Sequence, residues 1–435
     1  MGNTVKKVWV VSADMGYGHQ RAVHPLKEIA EEGIITAGTT EASEQEKKLW
    51  KRVLNVYEFF SRAKSIPLIG NPLFSLFDSM MHIPSFYPIR NLSSTTFQVN
   101  LLESTINKGL CRGLIEKTKE KELPLVTSFY APAIAADSKT SKKVYCIICD
   151  ADINRAWVAK HPWESRIEYF APCGRAAQRL KAYGVPEEKI HLTGFPISTD
   201  LIGDENLSIL KKDLARRLTY LDPMGKFMAR HGKSVKHFLG DENFTFEKER
   251  CFTITYAVGG AGAQKEIGGK IASSLKNKIL NDEVKLNLVA GIKRDVIEFF
   301  ENVKSETSDK INVIYSDSLY EYFDKFNQIM KTTDILWTKP SELSFYSALG
   351  VPIIMSPAIG SQEKFNRKWL HEIQAGIRQE NPEYTDQWLY DLLNRGTLAE
   401  AAWDGFLKVR KLGFYKIREV LEFGSMKNET SPVFR

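Results

Sequence analysis

The sequence predicts an α/β protein built from two doubly wound parallel-sheet domains. Apolar runs of strand length alternate with helical patterns along most of its 435 residues. The alternation runs once through the first 200 residues and restarts at Cys251. Each series opens with a strand, a glycine-rich turn and a helix, the arrangement that produces parallel sheets with right-handed crossovers.

The first series begins with the strand Lys7 to Ala13 and the helical stretch Gln20 to Glu32. Strands at Pro124 to Ser128, Lys143 to Cys149 and Ile167 to Ala171 follow, then the helix Gly174 to Tyr183 and the strand Ile190 to Thr193. The second series reads as strand Cys251 to Val258, helix Gln264 to Lys278, strand Val284 to Ala290 and helix Arg294 to Val303. Ile311 to Tyr315, Ile335 to Trp337 and Pro352 to Ser356 complete its strands. The expected division is a first domain over 1–200, a linker with a helical insertion over 201–250, a second domain over 251–397, and a helix from Leu398 to Leu421 returning across both, with a polar tail to 435.

Sixty Lys and Arg against 53 Asp and Glu, with 43% hydrophobic residues, exclude a disordered or fibrous chain. No apolar run approaches the ~20 residues of a membrane span. The opening residues have no cleavage site for a signal peptide, and Lys6 stands where myristoylation needs Ser or Thr. A cytoplasmic protein is expected, with no nucleic-acid partner. Five scattered cysteines make no disulfide framework, and Cys146 and Cys149 read as buried strand residues, so no metal is expected.

Two glycine clusters stand between strand and helix, where backbone N–H groups and the helix dipole favour anions. They are Asp14-Met15-Gly16-Tyr17-Gly18-His19 and Gly259-Gly260-Ala261-Gly262-Ala263. A dinucleotide fingerprint would need glycine at Arg21 or Lys265, and a P-loop would need glycine at Gln264 and a hydroxyl at Ile271. NAD enzymes and P-loop ATPases are thereby disfavoured. A tight strand–helix turn is the plain alternative for both.

Six blocks in order resemble the GT-B glycosyltransferases of family 28, the group of monogalactosyldiacylglycerol synthase, processive diacylglycerol glucosyltransferases and the peptidoglycan UDP-N-acetylglucosamine transferase. Ser12 to Ala22 is similar to S-x-x-x-G-x-G-H-x-x-A, and Phe129 to Ala136 to S-T-H-P-F-x-A with Tyr130 in place of histidine. Cys149-Asp150, Trp157-Val158 and His161-Pro162 resemble T-D…W-V-H-P, and Tyr169 to Ile197 is the fullest block. Gly259 to Gly262 resembles the diphosphate loop, and Ile359 to Asn366 with Ala375-Gly376 resembles P-G-Q-E-x-x-N…A-G. The block T-K-P-G-G-L-T-x-x-E-A-L departs. It reads Thr338 to Leu349 with Ser341 and Glu342 for the glycines, Ser347 for the ribose-holding glutamate, and two residues fewer before Gly350. The donor then sits differently, is not a standard UDP-sugar, or is no longer used.

The resemblance implies two Rossmann-like domains facing across a cleft, and an inverting, metal-independent hexosyltransferase without a cofactor beyond its nucleotide-sugar, a UDP-sugar. His19 is the candidate base, with the acceptor loop at Gly16 and Gly18. Asp150 would orient base or acceptor; otherwise it caps a turn. Gly259, Gly260, Ala261, Gly262 and Ala263 would take the diphosphate on their backbone N–H groups. Ser341 and Glu342 would also lie at the donor, where the Glu342 carboxylate is unfavourable beside a diphosphate unless a cation or hydrogen bond offsets it. Gln362 and Glu363 would hold sugar hydroxyls, with Asn366 packed beneath; a solvated helix start is their alternative. Lys47 to Phe60 forms a basic amphipathic helix, followed by the apolar stretch Pro67 to Ile89. Lys47, Lys48, Trp50, Lys51, Arg52, Phe59 and Phe60 are the candidate membrane contacts, which would place the protein at the inner membrane face. Packing of this helix on its own domain is the other reading. The function expected is sugar transfer to a membrane lipid such as diacylglycerol, with a nucleotide-sugar epimerase or a non-catalytic binding protein as alternatives.

Overall fold

Twelve strands form two six-stranded sheets in a computed structural model that describes residues 6–52, 82–245, 250–260, 262–358, 360–429, 431 and 433–435. The chain divides into two units. The first comprises Met1–Pro196, Ile359–Asn366 and Leu412–Glu429; the second comprises Ile197–Ala358, Arg367–Lys411 and Thr430–Arg435. This is the two-Rossmann-like architecture of the GT-B class. Among the described residues no helix is long and apolar enough to cross a membrane.

The first unit holds β1 (Val8–Ala13), β2 (Ala30–Ala37), β3 (Leu125–Thr127), β4 (Val144–Ile147), β5 (Ile167–Phe170) and β6 (Ile190–His191), in the order β2-β1-β3-β4-β5-β6. The second holds β7 (Phe252–Ala257), β8 (Val284–Gly291), β9 (Asn312–Tyr315), β10 (Ile335–Thr338), β11 (Ile353–Met355) and β12 (Gly376–Arg378), in the order β12-β11-β10-β7-β8-β9. Every pairing is parallel. All six residues of β1 and of β7 are buried, which is why they read as strands without polar alternation, apart from Ser12, Thr253 and Thr255: both sheet faces carry a layer.

Three expectations need correction. The helix expected over Gln20 to Glu32 ends at Val23, because Pro25 cannot continue the hydrogen-bond ladder, and Ala30–Ala37 is strand β2 instead. β12, Gly376–Arg378, lies where no strand was read. The last helix is two helices, Thr397–Lys408 and Gly413–Phe423, the former counted with the second unit and the latter with the first.

The helices Thr199–Ile202, Ser208–Leu221 and Lys226–Leu239 count with the second unit, and Arg217 and Arg250 tie this region to it. Arg217 donates to the carbonyls of Thr333 (2.7 Å), Leu349 (2.7 Å) and Met330 (3.4 Å). Arg250 grips the fully buried Asp334 at 2.6 and 2.7 Å and lies 4.1 Å over the Tyr220 ring. A bidentate pair with its remaining acceptor sites bonded tolerates such burial.

Lys411 is also fully buried, and its ammonium donates to the carbonyls of Val409 (3.0 Å) and Val433 (2.7 Å). Burial, with Arg435 and Arg410 adding repulsion, brings it from 10.5 down to about 7. Between those values the unfolded chain holds a proton that the folded chain has released, so this group makes stability rise with pH across that window. Between pH 7 and 9 the melting temperature of the native chain should therefore climb relative to Lys411→Met. Parallel melting curves would show that Lys411 keeps its proton when folded.

Candidate functional site

In the first unit the ends of β1, β3 and β4 bring the predicted residues to one sheet edge. Gly16, at φ 105°, turns the chain out of β1 into the helix Tyr17–Val23, which carries His19. His19 Nδ1 lies 2.7 Å from the Ser128 carbonyl, and Ser128 Oγ donates to the His19 carbonyl at 2.6 Å. A carbonyl only accepts, so Nδ1 carries a proton, and a neutral ring in this tautomer would have Nε2 as its basic nitrogen. Phe129 meets the imidazole edge-on at 4.9 Å and Trp157 lies 5.9 Å away. Tyr130, in the family's histidine position, packs 5.4 Å from Trp157, and burial pushes its phenol up to about 12, so it stays protonated at neutral pH. Gly18 and His19 are half-buried and Gly16 is exposed.

Asp150 follows β4 and is fastened from a distant part of the chain. The Asn366 side chain, fully buried, accepts from the Ala151 amide at 2.8 Å and donates to Asp150 Oδ1 at 2.9 Å. The partners fix the amide orientation, since the N–H cannot accept and the carboxylate cannot donate. The amide of Asn366, the residue expected beneath the sugar-holding side chains, thus engages the Asp150 loop. The same loop is locked by Asp152, fully buried, which accepts from Arg175 Nε (3.0 Å) and from Arg179 Nε (2.7 Å) and Nη2 (3.1 Å). Neither Ser128 nor Asp152 was singled out in the sequence, where each is one polar residue beside an apolar run.

Gln362 and Glu363 are half-exposed at the start of the helix Ser361–Glu372, and Glu363 accepts from the Gly360 amide at 3.2 Å. In the second unit the Gly262 amide donates to the Gly259 carbonyl at 2.8 Å, closing a tight turn after β7. Tyr256 Oη donates to the Gln264 carbonyl at 2.5 Å and holds the entry to the helix Lys265–Ser274. Gly259, Gly260, Gly262 and Ala263 are half-buried, and Ala261 lies outside the described residues. Ser341 precedes a buried 3-10 helix, Glu342–Leu349, in which Glu342 is 8% exposed. Ser347, in the position of the family's glutamate, is fully buried and donates to the Ser344 carbonyl at 2.7 Å.

Residues 44–52 are helical. Lys47, Lys48, Lys51 and Arg52 are exposed, but Trp50 is 7% exposed, with Nε1 donating to Glu46 at 3.3 Å and its ring 6.4 Å from Phe129. The expected contact residue Trp50 is thus packed on its own unit, while the cations face outward. Phe59 and Phe60 lie outside the described residues. Farther along, Tyr87 and Ile89 are 77% and 87% exposed.

A family model described as a domain of unknown function (DUF6938) matches residues 291–420. A search of curated proteins gives no match. Among solved structures, a putative UDP-N-acetylglucosamine 2-epimerase from Listeria monocytogenes is similar with a TM-score of 0.50 at 12% identity, over 97% of this chain and 98% of that one. The glycotransferase of kitacinnamycin gives a TM-score of 0.49 at 11% identity, over 96% and 98%. MurG of Acinetobacter baumannii gives 0.47 at 12%, over 96% and 99%. At these identities the likeness concerns the fold alone.

The Asn366 contact has a testable electrostatic consequence. Asn366→Asp would set two carboxylates against each other and remove the donor to Asp150, costing about 2–4 kcal/mol at pH 7. The cost should shrink towards pH 4, where one carboxyl of the pair is protonated. Combining it with Asp150→Asn restores one donor and one acceptor, so denaturant midpoints should recover most of the loss. A single variant as stable as the native chain at pH 7 would mean the contact carries little.

Proposed function

We propose that the protein is a glycosyltransferase that moves a sugar from a nucleotide-diphosphate donor, a UDP-sugar, to the hydroxyl of a membrane lipid such as diacylglycerol. The observation that carries this reading is the fixed tautomer of His19, whose Nδ1 is committed to the Ser128 carbonyl at 2.7 Å. Nε2 would take the acceptor hydroxyl proton as the acceptor oxygen attacks the anomeric carbon and the bond from that carbon to the diphosphate oxygen breaks. One such displacement inverts the anomeric centre. The glycine turn after β7 would receive the departing diphosphate on its backbone N–H groups. Exposed Lys47, Lys48, Lys51 and Arg52 suit an anionic leaflet, each contributing about 1 kcal/mol near its surface.

The second reading is a nucleotide-sugar epimerase, favoured by the Listeria protein whose fold this chain shares. Labelled UDP-sugars incubated with vesicles containing diacylglycerol separate the two: a labelled lipid supports transfer, an epimerised donor supports the alternative, and neither product overturns both.

In an active preparation, His19→Ala should lower turnover ~10²-fold or more with the melting temperature retained, and a chelator should leave the rate largely intact. An unchanged rate in His19→Ala would remove the base from the mechanism. Replacing Lys47, Lys48, Lys51 and Arg52 with glutamine should sharply reduce sedimentation with anionic vesicles at low salt and leave the melting temperature nearly unchanged. A native chain that ignores such vesicles would argue for a soluble acceptor.

A further inference from the structure

The glycine turn of the second unit has a lysine on each side. The sheet order sets β7 between β10 and β8, and the register aligns Ala257 with Thr338 on one neighbour and with Val289 on the other. The residue after β10 is Lys339, and Lys293 follows two residues beyond β8. A Cβ added at Gly259 would collide with the Lys339 side chain, its Nζ 3.1 Å away. A Cβ added at Gly262 would stand 4.0 Å or less from Cβ and Cγ of Lys293. The end of the Lys339 side chain therefore lies directly over Gly259, and a side chain there would have to displace it. Lys293 is exposed and its ammonium has no ion-pair partner among the described residues, whereas the nearby Lys265 is engaged by Asp295 at 3.0 Å.

We propose that Lys339 and Lys293 bracket the glycine turn as a pair of cations that holds a diphosphate, one lysine to each side. The proposal rests on the reading of this turn as the donor's diphosphate site and adds the side chains that would give it charge. Backbone N–H groups supply direction to an anion but no net charge. Glu342, at the head of the 3-10 helix that follows Lys339, adds a negative charge to the same sheet edge. An anion with two or three negative charges needs cations to offset that carboxylate, and lysine serves as a point charge without demanding one bidentate geometry. Two lysines, rather than one, select for a second phosphate.

Calorimetric titration of the full chain with UDP, UMP, uridine and inorganic diphosphate tests this. The native chain should bind UDP at least tenfold more tightly than UMP. Lys339→Met and Lys293→Met should each weaken UDP about tenfold and narrow the gap between UDP and UMP, while Lys339→Arg keeps most of it. UDP affinity within twofold of native in both methionine variants overturns the proposal. So does a native chain that binds neither UDP nor inorganic diphosphate. Binding of inorganic diphosphate that both variants lose, without binding of UDP, would support the lysine pair and sink the nucleotide-donor reading. Because Lys293 is exposed, Lys293→Met separates lost charge from lost folding even if Lys339→Met melts early.

Discussion

Every strand in each unit runs parallel to its neighbours, and that one constraint decides where chemistry can be placed. Parallel strands need a crossover after each strand, so the turns that follow their carboxyl ends collect on one edge. In the first unit this brings together His19 after β1, Ser128 after β3 and Asp150 after β4, residues far apart in sequence. In the second it gathers the glycine turn after β7, Lys339 after β10 and Lys293 after β8. The central strands are buried on both faces, so the exposed and half-buried groups of this edge come from these turns.

Such turns must be held still, and here polar side chains do it. His19 and Ser128 bond each other reciprocally, so the first and third crossovers are tied at their starts. Asp152 is fully buried with two arginines upon it, and Arg179 lies 3.9 Å over the Phe86 ring as well. A buried carboxylate with that many donors is costly to disturb, and removal of one partner would leave a charge uncompensated. The Asp150 loop owes its shape to this pair below and to Asn366 beside it.

The strands were legible in the sequence where both-face burial writes them as largely apolar runs, as in β1 and β4, while β7 and β8 keep that character despite Thr253, Thr255, Lys285 and Asn287. β2 was not, since Glu31, Glu32 and Gly33 interrupt its apolar pattern, and it reads as the tail of a helix. β12 has three residues, too short for periodicity to register. The glycine turns and His19 stood out through residue type and spacing. The contact between Asn366 and Asp150 did not, because 216 residues separate the partners and nothing local marks an asparagine that will serve another loop. Trp50 shows the opposite limit. Helical periodicity gives it an apolar face, but the aromatic cluster that receives that face, with Phe129, comes from elsewhere in the chain.

The 3-10 helix Glu342–Leu349 makes the connection between β10 and β11 unusually steep. Runs beyond three or four residues are uncommon for this helix, and this one has eight. Its rise of about 2.0 Å per residue carries eight residues roughly 16 Å, whereas ten residues of α-helix advance about 15 Å. Eight residues wound this steeply therefore cover the distance that about ten residues of α-helix would. The steeper winding also gives three residues per turn in place of 3.6, so successive side chains rotate to new bearings around the axis. Ser347 faces inward with its hydroxyl bonded to Ser344, and Gly405 of the neighbouring helix must lack a side chain because the Ser347 carbonyl occupies that space. The pitch of this one connection thus decides which side chains it offers to the sheet edge.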